Sequence, residues 1–435
     1  MSSLKRSITN TIWLFGEKII TMGLTIVTSI VLARYLSKTE FGLINYLISF
    51  LGLLAPFSAL GLNGIVTREL VFGKKSEEEI LGSALFLRVA GGIAAIIVCV
   101  FLIIIGLDFE ISDSWIVFAS LANVFTSILV LDYYFQSQTK SKYVVRCRLT
   151  ILVLSSFFKI GVIFTGNSYE YVMIMILAEP VLLSILLFIS YRSYIGKSIK
   201  MTVNYSYAKE LISQSKWLVM SGFMAVVYLK IDQIMLAKLA SLEDVAIYSV
   251  ASRLSEVWYF FPVAFVSSFF PRLLKNRENK EKYIGQLQSL CDLLFFSALI
   301  LSLVVTVVGD YVIELLYGIS YIESAFVLKV HIWSSVFIFM RALLSKWLIA
   351  EGMLKFSLVT HGIAAVLNVV MNTFLIPEYK SSGAAVATLL SYASASYFVL
   401  WFSKETRPMA VIMTKSIIFI STYKTLVKCF KKGSI

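Results

Sequence analysis

Charge is scarce in this chain, and negative charge scarcer still. Aspartate, glutamate, lysine and arginine make up 15% of 435 residues against 58% hydrophobic ones, and 26 acidic groups face 39 basic ones. A soluble domain of this length is far less apolar and more charged. Histidine is almost missing: His331 and His361 sit on different apolar segments with no acidic residue at ligand spacing, which argues against a metal centre or a nucleophile–base pair. The four cysteines, Cys99, Cys147, Cys291 and Cys429, have no paired spacing, so neither a disulfide framework nor a zinc site is indicated. Long polar stretches are absent too. The longest connections run around Gly309–Ile322 and from Arg192 to Leu211, leaving no soluble domain to house chemistry. The nearest approach to a phosphate loop, Gly73-Lys74-Lys75-Ser76, has Arg68 where the upstream glycine belongs and Lys75 where Ser or Thr should follow the lysine. No cofactor and no enzyme activity are expected.

What is present is a series of long, unbroken apolar runs. A helical span needs about 20 mainly apolar residues, and the hydropathy predicts twelve: 9–34, 41–66, 80–106, 114–135, 144–165, 169–191, 211–236, 245–270, 288–308, 323–350, 355–376 and 382–402, with 323–350 long enough to be tilted or broken. Barrel strands would alternate over about ten residues and do not fit. The first run follows Lys5 and Arg6, contains Glu17 and Lys18 and has no small-residue cleavage site, so it reads as a first span and not a signal peptide.

The halves repeat. Laid without a gap on the start of the chain, Trp217 falls on Trp13, LAKLASLEDVA (Leu236–Ala246) on LARYLSKTEFG (Leu32–Gly42), and Arg272 on Arg68. Matched halves around a central site are a recurrent transporter architecture. The predicted fold is an all-α integral membrane protein with two pseudo-symmetric six-helix bundles around a central cavity: 1–204, 205–402, then a basic amphipathic tail, 403–435. Basic residues crowd the connections on the side of both termini, while the opposite connections hold Arg34, Lys38, Lys238 and Lys380 only. The positive-inside rule then puts both termini in the cytoplasm. This sidedness explains the net charge of +13 better than nucleic-acid binding does. The tail, with MAVIMTKSIIFI followed by Lys424, Lys428, Lys431 and Lys432, reads as an interfacial helix on the inner surface, with a short thirteenth span as the alternative.

Polarity inside spans is costly and marks function. In span 1, Glu17, Thr21, Thr25 and Thr28 form one stripe; in span 7, Ser221, Ala225, Tyr228 and Asp232 do, and three of these fall on Glu17, Thr21 and Thr28. Span 8 carries Ser249, Arg253 and Glu256, and span 10 carries His331, Ser334, Arg341 and Ser345. Arg148, Ser155 and Lys159 in span 5 share their spacings with His361, Asn368 and Asn372 in span 11. By distance from span ends, Lys18 and Arg88 lie toward the cytoplasmic half, Arg253 and Arg341 near the middle, and Lys159 and Lys230 toward the outer half. These six are the candidate substrate-binding residues. The acidic Glu17, Asp132, Glu179, Asp232 and Glu256 are fewer and serve as salt-bridge partners or ion-coupling sites, with Glu17, Asp232 and Glu256 the coupling candidates. For each charge the alternative is an internal ion pair or a snorkelling end residue. A cationic path suits an anionic, amphipathic cargo such as a lipid-linked diphosphate. Trp258, Tyr259, Phe260 and Phe261 read as groups that pack on lipid, with stacking on sugar as the alternative.

Three segments also carry a family resemblance: SIVLARYLSKTEFGLINY; IDQIMLAKLASLEDVAIYSVASRL followed by FFPVAFVSSFFPRL; and PEYKSSGAAVATLLSY (Pro377–Tyr392). Together they resemble the O-antigen (Wzx-type) oligosaccharide flippases of the multidrug/oligosaccharidyl-lipid/polysaccharide exporter superfamily, over nearly the whole chain. Ala246 and Lys380 stand where that family often has glycine. The resemblance implies two six-helix bundles about a central cavity and alternating access. It also implies a multi-pass protein of the bacterial cytoplasmic membrane that turns undecaprenyl-pyrophosphate-linked oligosaccharide units from the inner to the outer leaflet, for O-antigen, capsule or exopolysaccharide. Membrane lipids, a coupling ion (sodium or proton) and the polysaccharide polymerase machinery are the implied partners. By position in spans 1 and 8, Lys18 and Arg253 are the counterparts of diphosphate-binding residues in related lipid II flippases. A cation-coupled multidrug exporter of the same superfamily is the alternative, disfavoured by the basic excess inside the spans. A polysaccharide polymerase or ligase is expected to show a sizeable outward loop, which is missing.

Overall fold

The structure is a computed structural model that describes residues 3–73, 75–166, 168–195 and 201–419. Lys424, Lys428, Lys431 and Lys432 of the predicted tail lie outside the described residues. The described chain is helical throughout, in order α1 (Ser3–Tyr35), α2 (Lys38–Ala59), α3 (Asn63–Phe72), α4 (Glu77–Ile104), α5 (Asp113–Phe125), α6 (Val130–Ser137), α7 (Lys142–Phe164), α8 (Glu170–Ile195), α9 (Tyr205–Leu239), α10 (Leu242–Glu256), α11 (Phe260–Lys275), α12 (Lys280–Tyr317), α13 (Glu323–His331), α14 (Ser334–Ala350), α15 (Leu354–Ser396) and α16 (Arg407–Ile417). Among the described residues, 11 helical stretches are long and apolar enough to cross a membrane, and the last, Lys355–Phe402, is 48 residues long. It is two spans: α15 is interrupted at Lys380, where the backbone leaves helical geometry at φ 49° and ψ −131°. The predicted division between 355–376 and 382–402 therefore falls where the chain bends. The chain forms two compact units, Met1–Val226 and Val227–Ile435, divided within α9.

The repeated LAxxxS motif ends in a helix cap. Ser37 accepts a hydrogen bond from the Glu40 backbone N–H at 3.3 Å, while Glu40 accepts one from the Ser37 N–H at 2.9 Å, a complete capping box at the start of α2. Its twin, Ser241, accepts from the Asp244 N–H at 3.0 Å and starts α10. Short turns so capped let one apolar helix follow another without leaving amide donors unsatisfied.

Several spans are broken within their length. The second is α2 and α3, separated where Leu60 (φ 47°) and Gly61 (φ 58°) turn left-handed. The fourth is α5 and α6 joined by a tight turn at Thr126–Leu129, and the tenth is α13 and α14. The offset that lays Trp217 on Trp13 lays this second junction, 330–333, on Thr126–Leu129. Carbonyls freed by such breaks need partners when no water is near. In unit 1, Arg88 of α4 donates to the Thr126 carbonyl at 2.7 Å; in unit 2, Ser302 of α12 donates to the Ile332 carbonyl at 3.1 Å. Both plugs come from the helix that precedes the broken one.

The connection predicted around Gly309–Ile322 is shorter than the hydropathy implied. Residues 309–317, predicted as loop, continue α12, which at 38 residues is about 57 Å long at 1.5 Å per residue. The apolar face of the tail helix is not bare either. Met409, Ala410 and Met413 of α16 are completely buried in a core that includes Leu287, Leu290 and Leu294 of α12. Ser416 donates to the buried Asp292 carboxylate at 2.7 Å, which ties α16 to α12.

Lys380 occupies a backbone conformation that a Cβ disfavours, and such strain is worth about 1–3 kcal/mol. Gly383 nearby is required by space: a Cβ there meets the Leu375 carbonyl. Ala246 is by contrast an ordinary buried helical position. Lys380→Gly is expected to raise the melting temperature by about 2–4 °C, measured on purified protein; an unchanged or lowered value counts against strain at the bend.

Candidate substrate and ion sites

Unit 1 gathers its charges on α1, α6, α7 and α8. Arg148 of α7 reaches Glu17 of α1 at 3.2 Å and Asp132 of α6 at 2.7 Å, with the two carboxylate side chains only 13% and 9% exposed. One guanidinium thus ties three helices together. Lys159, about three turns further along α7, pairs with Glu179 of α8, which also accepts from Ser155. The predicted polar face of span 5 therefore exists, and it is turned toward carboxylates.

Arg88 is 3% exposed. Besides the Thr126 carbonyl it donates to the Tyr133 hydroxyl, so both of its terminal nitrogens are occupied inside unit 1. Lys18 is different. Fixing Glu17 against α7 turns the next side chain about 100° around the helix, and Lys18 is exposed, with no acidic partner among the described residues.

Unit 2 places Asp232 of α9 at 1% exposure. One carboxylate oxygen accepts from Tyr248 at 2.7 Å and Thr388 at 2.5 Å, the other from Asn372 at 2.7 Å. All three donors are neutral, and no ion pair reaches Asp232 among the described residues. Asn372 in turn contacts Asn368 at 3.2 Å, and its own amide oxygen is buried with no hydrogen-bond partner. A buried carboxylate held by neutral donors only, one of them an asparagine whose own oxygen is unmet, is an arrangement that a proton or a small cation completes.

Arg341 of α14 is 7% exposed. It donates to the Ala395 carbonyl at 2.6 Å and to His361 Nε2 at 2.8 Å. His361 stacks on Tyr228 with ring centres 5.6 Å apart, and Tyr392 packs edge-on against Tyr228. Lys230 lies 3.9 Å from Glu256, a looser pair with both side chains about one-third exposed. Arg253 is partly exposed on α10. Trp258 and Phe261 are exposed, with Phe261 against Phe265 and Phe339. Among the described residues no three His, Cys, Asp or Glu side chains converge at metal-binding distance.

The sequence profile of the polysaccharide biosynthesis protein family matches residues 7–277. This chain belongs to that family. No curated protein sequence matches it, but solved structures do. The lipid II flippase MurJ in its inward closed conformation superposes with a TM-score of 0.67 at 15% identity, covering 98% of this chain and 94% of that one. An inward-facing multidrug resistance MATE family transporter of the MOP superfamily gives 0.67 at 12% identity, covering 93% and 95%. The Vibrio cholerae MATE transporter VcmN gives 0.58 at 13%, covering 96% and 98%. The polysaccharide biosynthesis family member described here thus has the all-α, multi-pass fold of these transporters.

Helical spacing groups the charges into stripes but does not assign their partners. The stripe in span 11 is divided, with His361 meeting Arg341 and Asn372 meeting Asp232. The most connected group in unit 1, Arg148, was seen only as part of a stripe; its partners lie 131 and 16 residues away. The Ser155–Lys159 spacing of one helical turn was the available signal for a shared acidic partner.

Proposed function

We propose that this family member is a flippase without covalent chemistry, one that turns undecaprenyl-pyrophosphate-linked oligosaccharide from the inner to the outer leaflet of the bacterial cytoplasmic membrane by alternating access. Both termini lie in the cytoplasm on this reading. The observation that carries it is Lys18: in a chain of the polysaccharide biosynthesis family, a membrane-embedded lysine is held outward by its pinned neighbour Glu17 and has no acidic partner among the described residues. An uncompensated ammonium within a span suits a diphosphate. Lys18 and the partly exposed Arg253 are the groups we assign to it. Arg88 is enclosed and occupied, and Lys159 and Lys230 have carboxylates beside them, so these three support the framework or a transient contact as those pairs exchange.

Asp232 is the proposed coupling site, taking a sodium ion or a proton; Glu17 and Glu256 already have basic partners. Moving one charge through 100 mV supplies about 2.3 kcal/mol. Asp232→Asn keeps size and is expected to abolish the dependence of translocation on the ion gradient, with at least a ~10-fold fall in rate. Unaltered ion dependence in that variant excludes Asp232 as the coupling group.

The test of the function is the sidedness of lipid-linked oligosaccharide in spheroplasts lacking the protein, read with a membrane-impermeant sugar-reactive probe. Units that accumulate unlabelled until the gene is restored identify translocation as the missing step. Units labelled without the protein refute the flippase reading and favour a multidrug exporter, which the MATE-like fold also supports. O-antigen, capsule and exopolysaccharide are distinguished by which surface glycan is lost.

A further inference from the structure

The hairpin of α11 and α12 carries a groove that none of the assigned residues uses. Its volume is about 460 Å³, and it is lined by Phe269 and Leu273 of α11 and by Lys282, Gly285, Gln286 and Ser289 of α12. The four α12 residues follow one another at helical spacing and so share one face. A Cβ built on Gly285 meets nothing within 4 Å, which leaves the floor of the groove open.

The internal repeat shows the same seam closed. The offset that lays Trp217 on Trp13 lays Lys282, Gly285, Gln286 and Ser289 on Glu78, Leu81, Gly82 and Leu85. In unit 1 Leu81 is completely buried, the Thr202 N–H donates to the Glu78 carbonyl at 3.2 Å, and a Cβ on Gly82 would collide with the Thr202 carbonyl. The chain itself therefore fills the groove there. The matching segment of unit 2 leads into α16, which lies along a different face of α12, where Gln288 donates to the Ile412 carbonyl at 3.0 Å. The seam of unit 2 is left open, with an ammonium in place of the carboxylate.

The lining grades from charged to apolar. Lys282 is exposed with no acidic partner among the described residues, and the stretch 272–282 holds five basic residues against two acidic ones. Gln286 accepts from Asn276 at 3.1 Å through its amide oxygen, which leaves its NH2 group to donate. Ser289 spends its proton on the Gly285 carbonyl at 2.9 Å and is wall, not ligand. Lys282 precedes residue 288, the predicted start of span 9, by about 9 Å along the helix. The headgroup layer on each face of a bilayer is about 5–8 Å thick, so a flexible lysine side chain reaches it from there. We propose that this groove binds an anionic glycerophospholipid of the phosphatidylglycerol class, its phosphodiester against Lys282 and Gln286 and an acyl chain along Phe269 and Leu273. One ammonium beside a neutral amide matches the single charge of a phosphodiester, whereas a diphosphate brings more charge and phosphatidylethanolamine brings a second ammonium. Basic pockets between helices at the membrane surface suit such headgroups. The bound lipid staples α11 to α12. The proposal does not depend on the cargo, and its test measures no transport.

The experiment is thermal melting of the full-length protein in phosphatidylcholine nanodiscs, with phosphatidylglycerol replacing the zwitterionic lipid stepwise at constant salt. The expected result is a saturable rise of at least about 2–4 °C. Gly285→Leu installs the side chain that the repeat has at Leu81, keeps every charge and removes a glycine from a helix interior, so it is expected to fold at least as well as the wild type while losing the rise. Lys282→Gln is expected to raise the half-saturating fraction of phosphatidylglycerol by ~5-fold or more. Equal melting of the wild type in the two lipids overturns the proposal. A rise that Gly285→Leu retains also overturns it, since that reports only the surface potential of the bilayer acting on a basic protein. Glycerol phosphate that produces the rise in pure phosphatidylcholine assigns the groove to a soluble anion, and undecaprenyl diphosphate that produces it at a lower fraction than phosphatidylglycerol assigns it to the cargo. Either result overturns the phospholipid.

Discussion

Replacing Arg148 by alanine is expected to destabilise the protein by about 2–4 kcal/mol, because it leaves the buried Asp132 and the partly buried Glu17 as two carboxylates with no counter-charge. Against the 5–15 kcal/mol that ordinarily separates folded from unfolded protein, this is a large fraction, and the variant's membrane abundance is expected to fall several-fold. Glu17→Gln is expected to be far milder, since it keeps the Arg148–Asp132 pair and removes a charge from a surplus. The double variant Arg148→Ala, Asp132→Asn is expected to recover part of the loss, because these groups act as one network. Membrane abundance and melting temperature check all three. Equal effects of Arg148→Ala and Glu17→Gln would show that the network is not what holds α1 to α7.

Lys18 and Arg253 are expected to behave in the opposite manner, with little effect on folding and a large one on transport. A hydrogen bond to a charged group is worth about 1.5–3 kcal/mol, so Lys18→Ala and Arg253→Gln are each expected to lower the rate by roughly 10- to 100-fold through lost diphosphate binding. The pair together is expected to abolish surface polysaccharide while the protein remains at normal abundance, with lipid-linked units accumulating in the inner leaflet. Normal surface polysaccharide in the double variant would remove the diphosphate assignment. Lys159→Ala combined with Glu179→Ala serves as the comparison, since it deletes a charged pair whole and leaves no unpaired charge, only the Ser155 hydroxyl without its acceptor.

The fold was legible because membrane spans are written in composition, and because a repeated cap such as Ser37–Glu40 and Ser241–Asp244 depends on residues three apart. Pairings across helices depend on rotation and tilt, which periodicity does not encode. Hence Arg148, Ser155 and Lys159 were readable as one polar face, while the division of that face between Glu17, Asp132 and Glu179 was not. Burial was hidden for the same reason: Arg88 and Arg341 are arginines in apolar runs like Arg253, and only packing shows that their tips are enclosed. The tail illustrates the limit from the other direction. Amphipathicity in MAVIMTKSI was correctly visible, but an apolar face reads alike whether lipid or α12 covers it.

The plugged breaks bear on how the chain enters the membrane during synthesis. A lone span 3 would carry Arg88 into lipid, where an arginine near the centre of a helix costs about 2.5–3.5 kcal/mol for insertion. A lone span 4 would expose the carbonyl at Thr126. Each defect is the remedy for the other, so the two helices are favoured as a pair, leaving the insertion machinery as a hairpin. Span 9 carries only the hydroxyl of Ser302 toward the matching break, which makes the second half of the chain less dependent on paired release than the first.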